Sequence, residues 1–158
     1  GEGPERKRLG EIDDRLNIGS KVKFTGRLAN PLEMLNQADL FVLSSRYEGF
    51  PNALIEAMAC RLPVISSDCP SGPREIIRDG VDGVLVSPNN IAELADAMNR
   101  LMGDWRERRR LSSRAVEIID RLGLERIMGL WDELLHGVSI QARTGMPMAC
   151  QLSTESKE

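Results

Sequence analysis

The sequence has 158 residues and a formal net charge of −3, from 21 basic and 24 acidic side chains. A chain of this length can form one compact domain with a hydrophobic core, and its slightly acidic balance gives no reason to expect a nucleic-acid partner. The 3 cysteines, Cys60, Cys69 and Cys150, are an odd number, and no two of them form a C-x-x-C pair. We therefore expect neither a disulfide framework nor a zinc site.

The chain opens on Gly1-Glu2-Gly3-Pro4, which is typical of a tight turn between a strand and a helix. A helical pattern follows at residues 4–16, but no strand precedes the turn, so we expect the parent protein to continue upstream. The turn lacks the third glycine of G-x-G-x-x-G and is therefore a weak dinucleotide fingerprint.

Short strand-like runs then alternate with helical patterns that begin at or near a proline. The alternation predicts an α/β fold, a Rossmann-like parallel sheet with helices on both faces, and the apolar runs LFVL and VIS suit strands that are covered on both faces. The predicted strands are residues 21–25, 40–43, 63–66 and 83–86, and the predicted helices are residues 4–16, 31–38, 51–60 and 73–78.

C-terminal helices are predicted after the last strand, at residues 91–102, 104–122 and 124–136. The last of them has an apolar face, which could cross to support another domain or pack on its own domain; the sequence leaves both open. From Gly137 onward the periodicity disappears. We therefore expect a folded domain at residues 1–136 and a flexible tail at residues 137–158.

The sequence contains no run of about 18 apolar residues that could cross a membrane, and it begins with charged residues rather than a signal peptide. Cysteines that form no disulfide framework are typical of proteins in a reducing compartment. We therefore predict a cytoplasmic location.

The stretch EGFPNALIE, residues 48–56, carries the chemistry. The loop after the strand 40–43 should lie at the carboxyl edge of the sheet, where open parallel sheets bind ligands. Pro51 begins a helix there, and its first free amides, from Asn52 to Leu54, suit a phosphate. Glu48 and Glu56 stand on either side, and a carboxylate can accept hydrogen bonds from two neighbouring hydroxyls. The pattern favours a nucleotide sugar.

Two other interpretations stay open at this point. Glu56 could simply face solvent, since charged residues are usually exposed and E-x7-E is common. A glycosidase would need two carboxyls that face one bond from opposite sides, which two residues on one loop and helix fit poorly.

The stretch SSRYEGFPNALIEAMACRLPVISSDCPSGPREIIRDGVDGVLV resembles the donor-binding half of retaining glycosyltransferases of family 4, which have the GT-B fold. The resemblance covers roughly residues 1–136, and its motifs occur in the family's order. These motifs are E-x7-E from Glu48 to Glu56, EAMAC-x-x-PV, D-x-x-x-G-x-x-E from Asp68 to Glu75, D-G-V-x-G-x-L-V at residues 79–86, VKFTG at residues 22–26 and NQAD at residues 36–39.

The resemblance implies a role for each residue of the donor site. Glu56 would bind the ribose hydroxyls, and Glu48, the catalytic candidate, would hold a hydroxyl of the transferred sugar. The remaining assignments are the backbone of Gly49, Phe50 and Pro51 for the sugar pocket, the amides of Asn52 and Ala53 for the diphosphate, and the backbone around Arg27 and Leu28 for the base.

The resemblance also implies the reaction and its partners. A UDP-linked hexose or N-acetylhexosamine would be transferred with retention to a glycan or lipid-linked acceptor, with no metal or other cofactor. The acceptor domain and the diphosphate-clamping cations would lie upstream of Gly1, and the full-length protein would associate peripherally with the inner face of the membrane. The alternatives are an inactive, truncated nucleotide-binding domain and, with less support, another GT-B activity such as a UDP-sugar epimerase.

Overall fold

The computed structural model describes residues 2 to 144. The chain divides into two compact units, Gly1–Ala38 and a second unit that begins at Asp39. The first unit contains α1 (Arg6–Leu16) and α2 (Pro31–Leu35). The second contains β1 (Phe41–Leu43), α3 (Asn52–Ala59), β2 (Val64–Ser67), α4 (Pro73–Ile76), β3 (Val84–Val86), α5 (Ile91–Gly103), α6 (Trp105–Ala115), α7 (Ile118–Leu122) and α8 (Leu124–Thr144).

The second unit is built on a three-stranded sheet in which both pairings are parallel and the order is β1-β2-β3. Phe41 pairs with Val64, and Ile65 pairs with Val84. The central strand β2 is buried along its whole length, as a strand covered on both faces should be. The predicted Rossmann-like α/β class with C-terminal helices is confirmed, and the parallel strands bring all three carboxyl ends to one edge.

The core of this unit joins the sheet to α5 and α6. Ile65 is fully buried, and it packs in one cluster with Val84 and Val86 of β3. Ala97 and Leu101 of α5 and Leu111 of α6 complete the cluster. Burial of a side chain such as Leu or Ile contributes about 1.5–3 kcal/mol, so this contact fixes α5 and α6 on the sheet.

The strand predicted at residues 21–25 is wrong, because the segment has no ladder partner among residues 2 to 144. The alternation of Val22 and Phe24 gives a side-chain period of two, but a strand also needs a neighbour for its backbone groups. Phe24 instead lies under the Arg6 guanidinium, whose carbon is 3.8 Å from the ring centroid.

The largest differences from the predicted helix boundaries lie after β3, although α2 and α4 also end earlier than predicted, at Leu35 and Ile76. The helix predicted at residues 104–122 is divided into α6 and α7, because tighter hydrogen bonds, from Glu117 N–H to Arg114 O and from Ile119 N–H to Val116 O, interrupt the α pattern. The last helix continues to Thr144 instead of ending at His136. The rest of the predicted tail, residues 145–158, lies outside the described residues, and its flexibility stays a prediction.

A partly buried charge cluster joins the segment after α4, the turn before β3 and α7. Asp82 is fully buried. One of its carboxylate oxygens accepts the backbone N–H of Arg78 at 2.7 Å, and the other accepts Arg78 Nε at 2.6 Å and Arg121 at 3.2 Å. The same Arg78 guanidinium donates to Glu117 at 2.7 Å, and this hydrogen bond lowers the pKa of the Glu117 carboxyl below its usual value.

An apolar stripe along α8 is not covered by the described residues. Leu124, Met128, Trp131 and Leu135 follow helical spacing, and each is exposed; Trp131, for example, is 54% exposed. The packing of this stripe on its own domain, one of the two predicted possibilities, is therefore not observed.

Among residues 2 to 144, no helix combines the length and the apolar character that a membrane crossing requires.

Candidate functional site

The stretch EGFPNALIE lies where the strand pattern predicts. β1 ends at Leu43, and the chain passes through a loop to α3, which begins at Asn52. Because β1 is parallel to its neighbour, this loop leaves the carboxyl edge of the sheet. The sequence-predicted residues from Glu48 to Glu56 are therefore together on one loop and one helix.

The N-terminus of α3 leaves two backbone donors without an acceptor among residues 2 to 144. No side chain of those residues caps it, and Pro51 occupies the N-cap position. The amide of Leu54, predicted to be free, donates to the Pro51 carbonyl at 3.0 Å; that prediction is wrong, because the first turn closes on Pro51. Asn52 and Ala53 are exposed, and the residues that the structure describes offer their amides no acceptor. An anion is the natural partner of such amides.

Glu56 lies on the exposed side of α3, whereas Leu54, Ala57 and Met58 are fully buried on the opposite side. The apolar neighbours in the sequence therefore do not surround its carboxylate. Within the described part of the chain, this carboxylate has no hydrogen bond or ion pair. The side chain is free to meet either solvent or a ligand.

The loop before α3 is held by a second loop, Asp68 to Gly72, a support that the sequence analysis did not predict. The Ser71 hydroxyl donates to the Glu48 carbonyl at 3.3 Å. Gly72 has φ of +90°, and a Cβ there would lie 2.7 Å from Pro51 Cδ and 2.9 Å from the Gly49 carbonyl oxygen. Only glycine allows this approach; the sequence signal for it was the Gly-Pro pair at the start of α4.

An ion pair closes this supporting loop. Arg74, in α4, donates through Nε to Asp68, at 2.9 Å, and its NH2 group contacts the same carboxylate. The hydrogen bond lowers the pKa of the Asp68 carboxyl. The carboxylate that follows β2 is thus already paired with a protein cation.

The other predicted residues differ in what surrounds them. Phe50 is 51% exposed and Pro51 is buried, and a Cβ added to Gly49 would meet open space. Arg27 and Leu28 lie in the first unit, after Gly26 with φ of +65°, and their position beside a base stays a prediction. The described residues contain no group of three metal-ligating side chains.

Replacement of Gly72 by alanine is expected to lower the free energy of unfolding more than the same change at Gly80. Both glycines have positive φ, which costs about 1–2 kcal/mol with a Cβ. Only at Gly72 does the Cβ collide, with Pro51 and the Gly49 carbonyl, which adds about 1–3 kcal/mol. Urea unfolding of both variants tests this; equal losses would contradict the contact between the loops.

The fold has known counterparts among solved structures. The HepE protein of Anabaena, solved in complex with UDP, superimposes with a TM-score of 0.79 at 28% identity over 83% of this chain and 36% of that one. The parallel sheet, its free helix N-terminus and this likeness define the class: the chain is a C-terminal, donor-binding domain of the GT-B glycosyltransferase type.

The chain belongs to the family described as glycosyl transferases group 1, whose model matches residues 1–117. An exopolysaccharide phosphotransferase of Streptomyces coelicolor is 38% identical over 135 residues, which are 85% of this chain and 14% of that protein. A poly(ribitol-phosphate) α-N-acetylglucosaminyltransferase of Staphylococcus aureus is 30% identical over 137 residues, 86% of this chain and 28% of that protein. The chain spans less than half the length of each relative.

Proposed function

We propose that this chain binds the donor in a retaining glycosyltransferase of the family 4 type, and that the donor is a UDP-linked hexose or N-acetylhexosamine. The observation that carries the proposal is the free N-terminus of α3. The amides of Asn52 and Ala53, which have no acceptor in the part of the chain that the structure describes, lie along the chain between the half-buried Glu48 and the exposed Glu56. This is an anion site with a carboxylate on each side that can accept hydrogen bonds from two neighbouring hydroxyls.

Each residue then has a chemical task. Asn52 and Ala53 donate to the diphosphate, and the partial positive charge of α3 stabilises the charge that develops on the leaving group. Glu56 accepts the ribose hydroxyls, and Glu48, the catalytic candidate, accepts a hydroxyl of the sugar. Gly49, Phe50 and Pro51 line the sugar pocket with backbone, and the open space beside Gly49 leaves room for a close ligand.

The remaining parts of the proposal concern the whole protein. Arg27 and Leu28 border the base, and the acceptor is a glycan or a lipid-linked sugar held by a further domain. The reaction needs no metal, and it takes place in the cytoplasm, with the parent protein peripherally associated at the membrane. The UDP in the HepE complex and the N-acetylglucosaminyl transfer in the name of the Staphylococcus aureus relative support the choice of donor.

Comparison of UDP with uridine by calorimetry tests the diphosphate assignment. UDP is expected to bind at least about tenfold more tightly, since a hydrogen bond to a charged group contributes about 1.5–3 kcal/mol and uridine has no phosphate. GDP in the same series tests the preference for uridine. Equal affinities for UDP and uridine would show that the α3 amides do not hold a phosphate.

A further inference from the structure

A cavity of about 270 Å³ lies at the carboxyl edge of the sheet, and it is lined by residues at or just after the ends of all three strands. Ser44 follows β1, Ser67 is the last residue of β2, and Asn89 follows β3. Arg46 adds a guanidinium, and the first turns of α5 form an apolar wall that includes Leu94. Neither of the proposed donor carboxylates lines this cavity.

Several polar side chains of this cavity have no hydrogen-bond partner among residues 2 to 144. Ser67 is 6% exposed, and in the part of the chain that the structure describes its hydroxyl makes no hydrogen bond. Its oxygen is not fully enclosed by the protein, so it lies at the cavity surface, where it can hydrogen-bond a ligand or solvent. The side chains of Ser44, Arg46 and Asn89 also have no partner among the described residues, whereas neighbouring Asn90 is occupied with Glu93 at the α5 cap.

The lining defines the chemistry of a ligand that this cavity could bind. Arg46 provides one positive charge, no carboxylate lines the cavity, and the two hydroxyls and the Asn89 amide can each donate and accept. A guanidinium pairs best with a phosphate or a carboxylate. The volume is just below the range of about 300–1,000 Å³ for drug-sized ligands, which suits one sugar unit.

We infer that this cavity binds an anionic sugar unit, a hexose that carries a phosphate or a carboxylate, as part of the acceptor glycan. The inference rests on the proposed function for the identity of the glycan as an acceptor. It adds a binding site on the donor domain itself, at the same sheet edge as the α3 terminus but formed by different residues.

The test is an amide NMR titration of the full chain with glucose 6-phosphate, glucuronate, glucose and inorganic phosphate, with UDP present at saturation. The charged sugars are expected to shift the amides around Ser44, Ser67 and Asn89. Neutral glucose and inorganic phosphate are expected to bind at least about tenfold more weakly. No shift with either charged sugar would overturn the inference. If glucose binds as tightly as the charged sugars, the ligand need not be anionic. If inorganic phosphate binds as tightly, the ligand need not be a sugar.

Three variants separate the cavity from the donor site. Arg46→Gln is expected to weaken binding of glucose 6-phosphate by about tenfold or more, and Asn89→Gly, which keeps the positive φ of 60° without strain, by several-fold. Arg109→Gln, an exposed control on α6, should change nothing. If Arg46→Gln weakens binding of UDP as much as binding of glucose 6-phosphate, the cavity is not a separate site. If UDP does not bind but the charged sugars do, the donor proposal fails and the inference about the cavity stands.

Discussion

Replacement of Asp82 by alanine is expected to lower the free energy of unfolding by about 3 kcal/mol. Asp82 is fully buried, and its carboxylate accepts three hydrogen bonds, one from the backbone of Arg78 and two from the guanidiniums of Arg78 and Arg121. Loss of one partner of a buried pair typically costs about 3–5 kcal/mol. We expect the lower end because the Arg78 side chain is 37% exposed and can recover some hydration.

Asp96→Ala is the matched control for this experiment. Asp96 is exposed in the middle of α5, and its side chain makes no hydrogen bond among the described residues, so its replacement should change the stability by less than about 0.5 kcal/mol. Urea unfolding of both variants gives the comparison. A loss below about 1 kcal/mol for Asp82→Ala would show that the cluster between α4 and α7 contributes little.

Glu56→Gln is expected to weaken binding of UDP by about tenfold or more. Glutamine keeps the length of the side chain but removes the charge and one acceptor oxygen, so a charged hydrogen bond of about 1.5–3 kcal/mol is lost. The stability should not change, because Glu56 is exposed and has no protein partner among the described residues. Calorimetric titration of parent and variant measures the difference.

Glu133→Gln provides the same chemical change on the exposed polar side of α8, and it should bind UDP as the parent does. The two variants together separate a local contact with the ribose from a general effect of net charge. If Glu56→Gln and Glu133→Gln bind UDP equally well, Glu56 is an ordinary solvent-facing residue.

The sheet could be predicted because each strand is specified by its own residues and by its neighbours in the sequence. LFVL and VIS are continuous apolar runs between helices that begin at prolines, and this pattern is typical of buried parallel strands. Residues 21–25 misled the prediction because alternation specifies which face a side chain occupies, but not whether a neighbouring strand exists. No proline or glycine marks the division between α6 and α7, and the helical periodicity of the sequence continues across it.

The candidate site could be predicted in part. The loop and the start of α3 follow from the strand end and Pro51, but exposure of Glu56 depends on which side of α3 packs against the protein. Contacts between distant segments could not be predicted. Ser71 and Gly72 meet the loop at Glu48 and Gly49 only after the chain has passed through α3 and β2. The cavity around Ser67 likewise requires the ends of three strands at one edge.

The most direct measurement for the central claim is an amide NMR titration of the full chain with UDP. The account predicts that the amides of Asn52 and Ala53, which have no acceptor among the described residues, show the largest shifts as they take up hydrogen bonds to phosphate. Amides in the middle of α5 should not move. UDP binding that leaves Asn52 and Ala53 unshifted would contradict the assignment of the α3 N-terminus as the donor phosphate site.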